Sequence, residues 1–196
     1  AVGMICVAGI FVVQGIRLGR EFVLLRRAEV APLFSAEQVA ILEKAYAIEP
    51  NNVDQNNHST AYAIGEAYRR QASEGTLGNT VELTEKAMSW FMRGMTNNPH
   101  DSYNYMGYGM CLDWLEKHDE AEPFFLKADD LDPNGYFTQA HVGWHYVQAR
   151  NFASARPWLE RSLRMVRKDN RIAETYLLLA NERLLELALT DRQKRL

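Results

Sequence analysis

The chain reads as an all-α solenoid of helix–turn–helix units, and three observations carry that reading. Between Asp101 and Asn170 residues recur with a period of 34: Gly109 returns as Gly143, Ala121 as Ala155, Phe125 as Leu159 and Ala128 as Ser162, with Trp114 answered by Gln148. A fixed period of roughly 20–50 residues marks stacked supersecondary units that bury a shared core. Proline closes two successive units, Pro99 and Pro133 standing one period apart, where a helix cannot continue. Apolar residues fall at helical spacing, and no strand is expected.

Each recurring position has a physical role. Gly109 and Gly143 lie in the first helix of a unit, where a second helix approaches too closely for a side chain. Ala121 and Ala155 do the same in the second helix, and Phe125 and Leu159 fill the space between the pair. The template extends upstream through Gly65, Tyr68, Ala87, Phe91, Gly94 and Pro99, with about ten extra residues between the two helices. That insert, Gln71 to Thr80, is polar with two glycines and reads as a loop.

Before it, Ser35-Ala36-Glu37-Gln38 forms a capping box, with Phe34 and Val39 as a hydrophobic staple. The helix it opens runs through Leu42 and Ala45 to Pro50 and matches the second half of a unit. The polar run from Asn51 to His58 reads as an extended turn. At the far end Ile172 to Leu189 is one long helix, the cap a solenoid needs. Residues 190–196 read as a short, frayed polar tail.

The first residues differ in kind. Ala1 to Val13 lack any charged or strongly polar residue, and the apolar run continues to Ile16, broken only by Gln14. Arg17, Arg20, Arg26 and Arg27 come next. This predicts a transmembrane helix over residues 1–17, incomplete against the ~20 residues of a full span, and therefore the end of a longer hydrophobic segment. A buried core helix is the alternative. Residues 18–34 would form an amphipathic juxtamembrane helix whose arginines meet anionic headgroups. The flanking arginines favour a cytoplasmic repeat domain over residues 35–189.

Composition bounds the function. The formal charge is −3, from 22 basic and 25 acidic residues, which gives no nucleic-acid footprint. Cys6 lies in the apolar run and Cys111 in a repeat helix, so no disulfide is expected. His141 and His145 stand four apart on one helix face and would make half of a metal site, but no third ligand is in reach and HExxH is absent, so structural histidines are expected. Asp129, Asp130 and Asp132 read as residues of a helix end. Asn57-His58-Ser59 fits a glycosylation sequon, a triplet frequent by chance. No catalytic constellation, cofactor or metal is expected.

The 34-residue period with glycine and small residues at these offsets resembles the tetratricopeptide (TPR) repeat, with about three full repeats, a flanking half-repeat and a capping helix. That resemblance implies a binding fold in which the first helix of each unit lines a concave groove. Carried onto this sequence, the groove positions are Ser59, Tyr62, Glu66, Arg69 and Arg70, then Tyr103, Met106, Met110, Asp113 and Trp114, then Phe137, Ala140, Trp144, Val147 and Gln148. Aromatics and arginine dominate interface energetics, and methionine adapts to irregular partners. The groove would take an extended or helical peptide, or a sugar stacked on an aromatic ring. Equally, many of these residues would pack against neighbouring helices, since both roles predict apolar residues at helical spacing. The Lys and Asn positions with which some TPR grooves grip a terminal carboxylate are absent.

The runs AYAIGEAYRRQ, EKAMSWFMRGM, YNYMGYGMCLDWL and DPNGYFTQAHVGWHYVQ also resemble the C-terminal TPR extension of bacterial O-antigen ligase and polymerase-like membrane proteins. That likeness implies a bacterial envelope context and an accessory role in glycan transfer, with the chemistry in a membrane part outside this sequence. The residues themselves point to a membrane-anchored, non-catalytic scaffold that docks a protein partner. The alternatives are the accessory region of a glycan-transfer protein and a soluble solenoid whose first helix is buried in an oligomer.

Overall fold

The computed structural model describes residues 2–50, 55–75 and 80–194, with the side chains of residues 2–10 and 55–58 left outside the description. Among the described residues there are nine helices and no strand. They are α1 (Val2–Val30), α2 (Ala36–Tyr46), α3 (Gln55–Glu74), α4 (Thr80–Asn97), α5 (Ser102–Trp114), α6 (His118–Leu131), α7 (Tyr136–Gln148), α8 (Phe152–Met165) and α9 (Arg171–Lys194). They form two compact units, Ala1–Pro99 and His100–Leu196.

The glycines explain the pairing of α3 with α4, α5 with α6 and α7 with α8. A Cβ placed on Gly65 would lie 2.8 Å from Phe91 Cε1, one on Gly109 2.9 Å from Phe125 Cε2, and one on Gly143 2.5 Å from Leu159 Cγ. The same contact therefore occurs three times, between a first-helix glycine and a large second-helix side chain. Phe91, Phe125 and Leu159 are fully buried, as are Ala87, Ala121, Ala128, Ala155 and Ser162. Full burial of such large apolar side chains contributes about 1.5–3 kcal/mol each.

In the first unit, Ala28 of α1, Val39, Leu42 and Tyr46 of α2, Ala61, Ile64 and Ala67 of α3 and Trp90 of α4 share one core. Ser35 Oγ accepts from the Gln38 amide at 3.0 Å, as a capping box requires, while Gln38 Oε1 accepts from the Phe34 amide at 2.7 Å. Gln38 Nε2 also donates to Ala28 O at 3.0 Å, joining the start of α2 to the end of α1. In the second unit, Ala140, Val147, Ala155, Leu159, Ala173 and Ala180 form the core on which α9 lies.

Several boundaries differ from expectation. α1 is one helix rather than a membrane helix and a separate juxtamembrane one. No helix among the described residues is long and apolar enough to cross a membrane. Four arginines, Arg17, Arg20, Arg26 and Arg27, interrupt α1 from its middle onward. α2 stops at Tyr46 instead of reaching Pro50. α3 begins at Gln55, inside the expected polar turn, and runs to Glu74, inside the expected loop, because Gln71 and Ala72 are buried. The rest of those two segments, residues 51–54 and 76–79, lies outside the described residues. α9 starts at Arg171 and continues to Lys194 through most of the expected tail, where Thr190 Oγ1 donates back to Glu186 O at 2.9 Å.

Candidate functional site

The predicted groove residues divide between the two units. Tyr62, Glu66, Arg69 and Arg70 belong to α3 in the first, and the others to α5 and α7 in the second.

On α3 the helical spacing of three and four brings both arginines onto Glu66. Arg69 donates through Nε to Oε2 at 2.7 Å and through Nη2 to Oε1 at 2.6 Å, and Arg70 Nε donates to Oε1 at 2.7 Å. Burial pushes the Glu66 carboxyl up, but the two guanidiniums together outweigh it and hold the group below its usual value. Arg69 is buried, while Arg70 is exposed and lies 5.6 Å from the centre of the Phe34 ring. Tyr62 is half-buried against Phe91, with ring centres 5.9 Å apart.

In the second unit, Met106, Met110, Asp113 and Trp144 are buried. Trp144 packs on Phe125 at 6.2 Å and edge-on to Tyr176 at 6.5 Å. For these residues packing is the role that the geometry shows. Tyr103 and Trp114 stay open, at 42% and 39% exposure, and Phe137 and Gln148 are half-buried. Tyr103 leans on Phe137 at 6.1 Å, and Phe137 on His141 at 4.2 Å. Burial, then Asp132 and Asp101, push the Tyr103 hydroxyl up from its ordinary value. Trp114 and Gln148, one period apart, line one open pocket of about 660 Å³ with Asp113, Glu116, His118 and Arg150.

Beneath that pocket is a network that sequence reasoning missed. His145 Nδ1 lies 3.0 and 2.9 Å from the two Asp113 oxygens, and His118 Nδ1 lies 2.8 Å from Oδ1. Each imidazole donates its Nδ1–H, so one buried carboxylate ties α5, α6 and α7 together. His141 Nδ1 faces Phe137 O at 2.8 Å instead. The predicted face-sharing histidines thus serve two separate structural hydrogen bonds. No group of three His, Cys, Asp or Glu side chains that would hold a metal occurs among the described residues. Glu116 and Arg150, also one period apart, both have positive φ, 59° and 56°.

Two tyrosines were missed as clamps. Tyr68 donates to Glu43 Oε1 at 3.0 Å, and Tyr146 to Glu122 Oε1 at 2.6 Å. Each stands three residues after a helix-packing glycine and reaches back to the second helix of the preceding repeat. The positional echo of Tyr68 and Tyr146 was visible in the sequence, but the acidic partners had no shared signature.

Of the arginines expected at a membrane, Arg17 lies 3.8 Å from Glu49 and Arg26 2.6 Å from Glu29. Arg20 and Arg27 are exposed.

Paired helices with glycine-mediated contacts and two open aromatics along α5 define a helical-hairpin repeat protein. Residues 103–134, spanning α5 and α6, match the family model of the tetratricopeptide repeat. None of the curated proteins compared matches the chain. Among solved structures, the first TPR domain of Spaghetti (RPAP3) bound to an HSP90 peptide superposes with a TM-score of 0.56 at 17% identity, covering 68% of this chain and 98% of that one. MamA from MSR-1 superposes with a TM-score of 0.58 at 15% identity over 86% of both chains. MamA from Desulfovibrio magneticus RS-1 gives 0.52 at 18% identity, covering 68% of this chain and 67% of the other. These likenesses establish a TPR-like, all-α solenoid fold.

Proposed function

We propose that this chain is a non-catalytic scaffold that docks a protein partner through the open edge of α5 and α7, within a membrane or envelope assembly. The observation that carries the reading is the exposure of Tyr103 and Trp114 at positions the repeat assigns to its groove. Tyrosine and tryptophan contribute large contact area with little entropy to lose, and they anchor interfaces out of proportion to their number. A TPR neighbour that holds a peptide supports a protein ligand for this fold. Asp113 and its two histidines are occupied by one another, which fits a binding role better than acid–base chemistry.

The membrane context rests on α1, which exposes Phe11, Val12, Val13, Ile16, Phe22 and Val23. An apolar flank of this size is the kind that marks an interaction or membrane surface. A bilayer interface would cover it. A second reading, favoured by the same flank, places it against the membrane part of an O-antigen ligase-like protein, with the repeats as an accessory region.

The test is a paired substitution. Tyr103→Ala with Trp114→Ala weakens capture of the partner by at least about tenfold, the loss of one modest hot spot, and leaves helicity unchanged. Trp144→Ala instead lowers stability, because its ring is core. Undiminished capture by the Tyr103/Trp114 variant would remove this edge as the binding face.

A further inference from the structure

α9 is apolar on two faces. Ala173, Ala180 and Leu177 lie on the core of the second unit, whereas Leu178, Leu185 and Leu189 are 63%, 62% and 52% exposed. Around the last two the sequence has an internal symmetry. Glu182, Leu185, Leu189 and Arg192 are spaced by three, four and three residues, so they fall on one helix face. Glu182 and Arg192 are both exposed, and neither makes an ion pair within the chain among the described residues. The other acid–base pair of this region, Arg183 with Glu186 at 2.7 Å, closes within the helix.

We propose that α9 pairs antiparallel with α9 of a second copy of this chain, about a two-fold axis that sets Leu185 against Leu189 of the partner subunit and Glu182 against Arg192 of the partner subunit. The order acid, leucine, leucine, base is its own complement only when reversed. In an antiparallel pair each leucine meets a leucine and each charge meets its opposite, twice over, as an isologous contact requires. A parallel pair would set Glu182 on Glu182 and Arg192 on Arg192, which repel. The seam of exposed leucines flanked by charges has the make-up of a helix–helix interface, with the charges choosing the orientation. The patch is small, below the roughly 1,200 Å² of a stable interface, so the dimer is weak and depends on concentration. It is separate from the partner-docking edge on α5 and α7 and does not rest on it.

The experiment is sedimentation equilibrium of the full chain over a wide concentration range. The expected result is a monomer–dimer equilibrium that Leu185→Asp abolishes. Glu182→Arg alone and Arg192→Glu alone each weaken it about three- to tenfold, given two exposed pairs per dimer, and the two together restore it. All three positions face solvent, so circular dichroism stays unchanged. A chain that remains monomeric at the highest concentration overturns the proposal. So does a dimer indifferent to Leu185→Asp, as one formed through α1 would be, or a combined charge reversal that fails to recover association.

Discussion

Adding one methyl group at each of four glycines separates close helix packing from ordinary helix propensity. In a helix interior, Gly→Ala stabilises by about 0.8–1.0 kcal/mol through propensity alone. Gly19 of α1 has nothing within 4 Å of a new Cβ, so Gly19→Ala should raise stability by about that amount. At Gly109 the Cβ would meet Phe125 Cε2 at 2.9 Å and Cδ2 at 3.0 Å, and Phe125 is fully buried. A buried ring gives way only by disturbing its own neighbours, at a typical overpacking cost of about 1–3 kcal/mol. The net for Gly109→Ala is therefore a loss of about 0–2 kcal/mol, with Gly65→Ala similar. Gly143→Ala is worse, because the Cβ meets Leu159 Cγ at 2.5 Å and the Leu159 backbone nitrogen at 3.2 Å. Here α8 itself must move, which puts the net loss at about 2 kcal/mol or more. Urea unfolding monitored by circular dichroism measures all four variants on one scale. Phe125→Leu should relieve Gly109→Ala, so the double variant is more stable than the sum of its parts. If Gly143→Ala stabilises as Gly19→Ala does, the glycines do not mediate helix contact, and the basis of the repeat assignment fails.

Three further expectations concern buried polar groups and turns. Asp113→Ala leaves buried His145 without its acceptor and should cost about 3 kcal/mol in urea unfolding, whereas His118→Ala, at the half-exposed end, costs less. Tyr68 and Tyr146 have their hydroxyls pushed up to about 12 by burial and by Glu43 and Glu122. A raised folded pKa gives stability that is complete below the tyrosine's ordinary value of 10.0 and is lost as pH rises towards 12, so Tyr68→Phe with Tyr146→Phe should flatten the alkaline limb of a stability–pH curve. Glu116→Gly and Arg150→Gly relieve positive φ at two turns and should each stabilise by about 1 kcal/mol in the same assay.

The repeat was legible because it rests on steric partners at fixed spacing. A glycine and the large residue it admits recur together, and any sequence with that contact must display it. The insert between Gly65 and Phe91 was legible for the same reason, since the pair keeps its chemistry while its separation grows. The Asp113–His145 bond joins residues 32 apart with no pattern of their own, so nothing in one dimension marked it. The groove register could not separate open Tyr103 and Trp114 from buried Met106, Met110 and Trp144, because facing a neighbouring helix and facing a ligand call for the same apolar side chains at the same period. The extent of α9 was missed because Asp191, Arg192, Gln193 and Lys194 look like a tail, although charged and amide side chains continue an exposed helix readily. The transmembrane helix expected over residues 1–17 finds no support among the described residues. Its apolar run allowed either lipid or a buried core helix, and Gln14 Nε2 donates to Glu49 at 2.6 Å with Arg17 beside the same carboxylate, so one side of α1 is held by the first unit.

The central claim, that the open edge of α5 and α7 holds a partner, is tested most directly by a photo-crosslinking residue placed at Trp114 in the full chain inside its native cells, with the same residue at exposed Met92 of the other unit as control. The account predicts one discrete crosslinked protein from Trp114, lost when Tyr103→Ala is added, and none from Met92. Equal crosslinking from both positions, or a Trp114 product that persists unchanged with Tyr103→Ala, would contradict it.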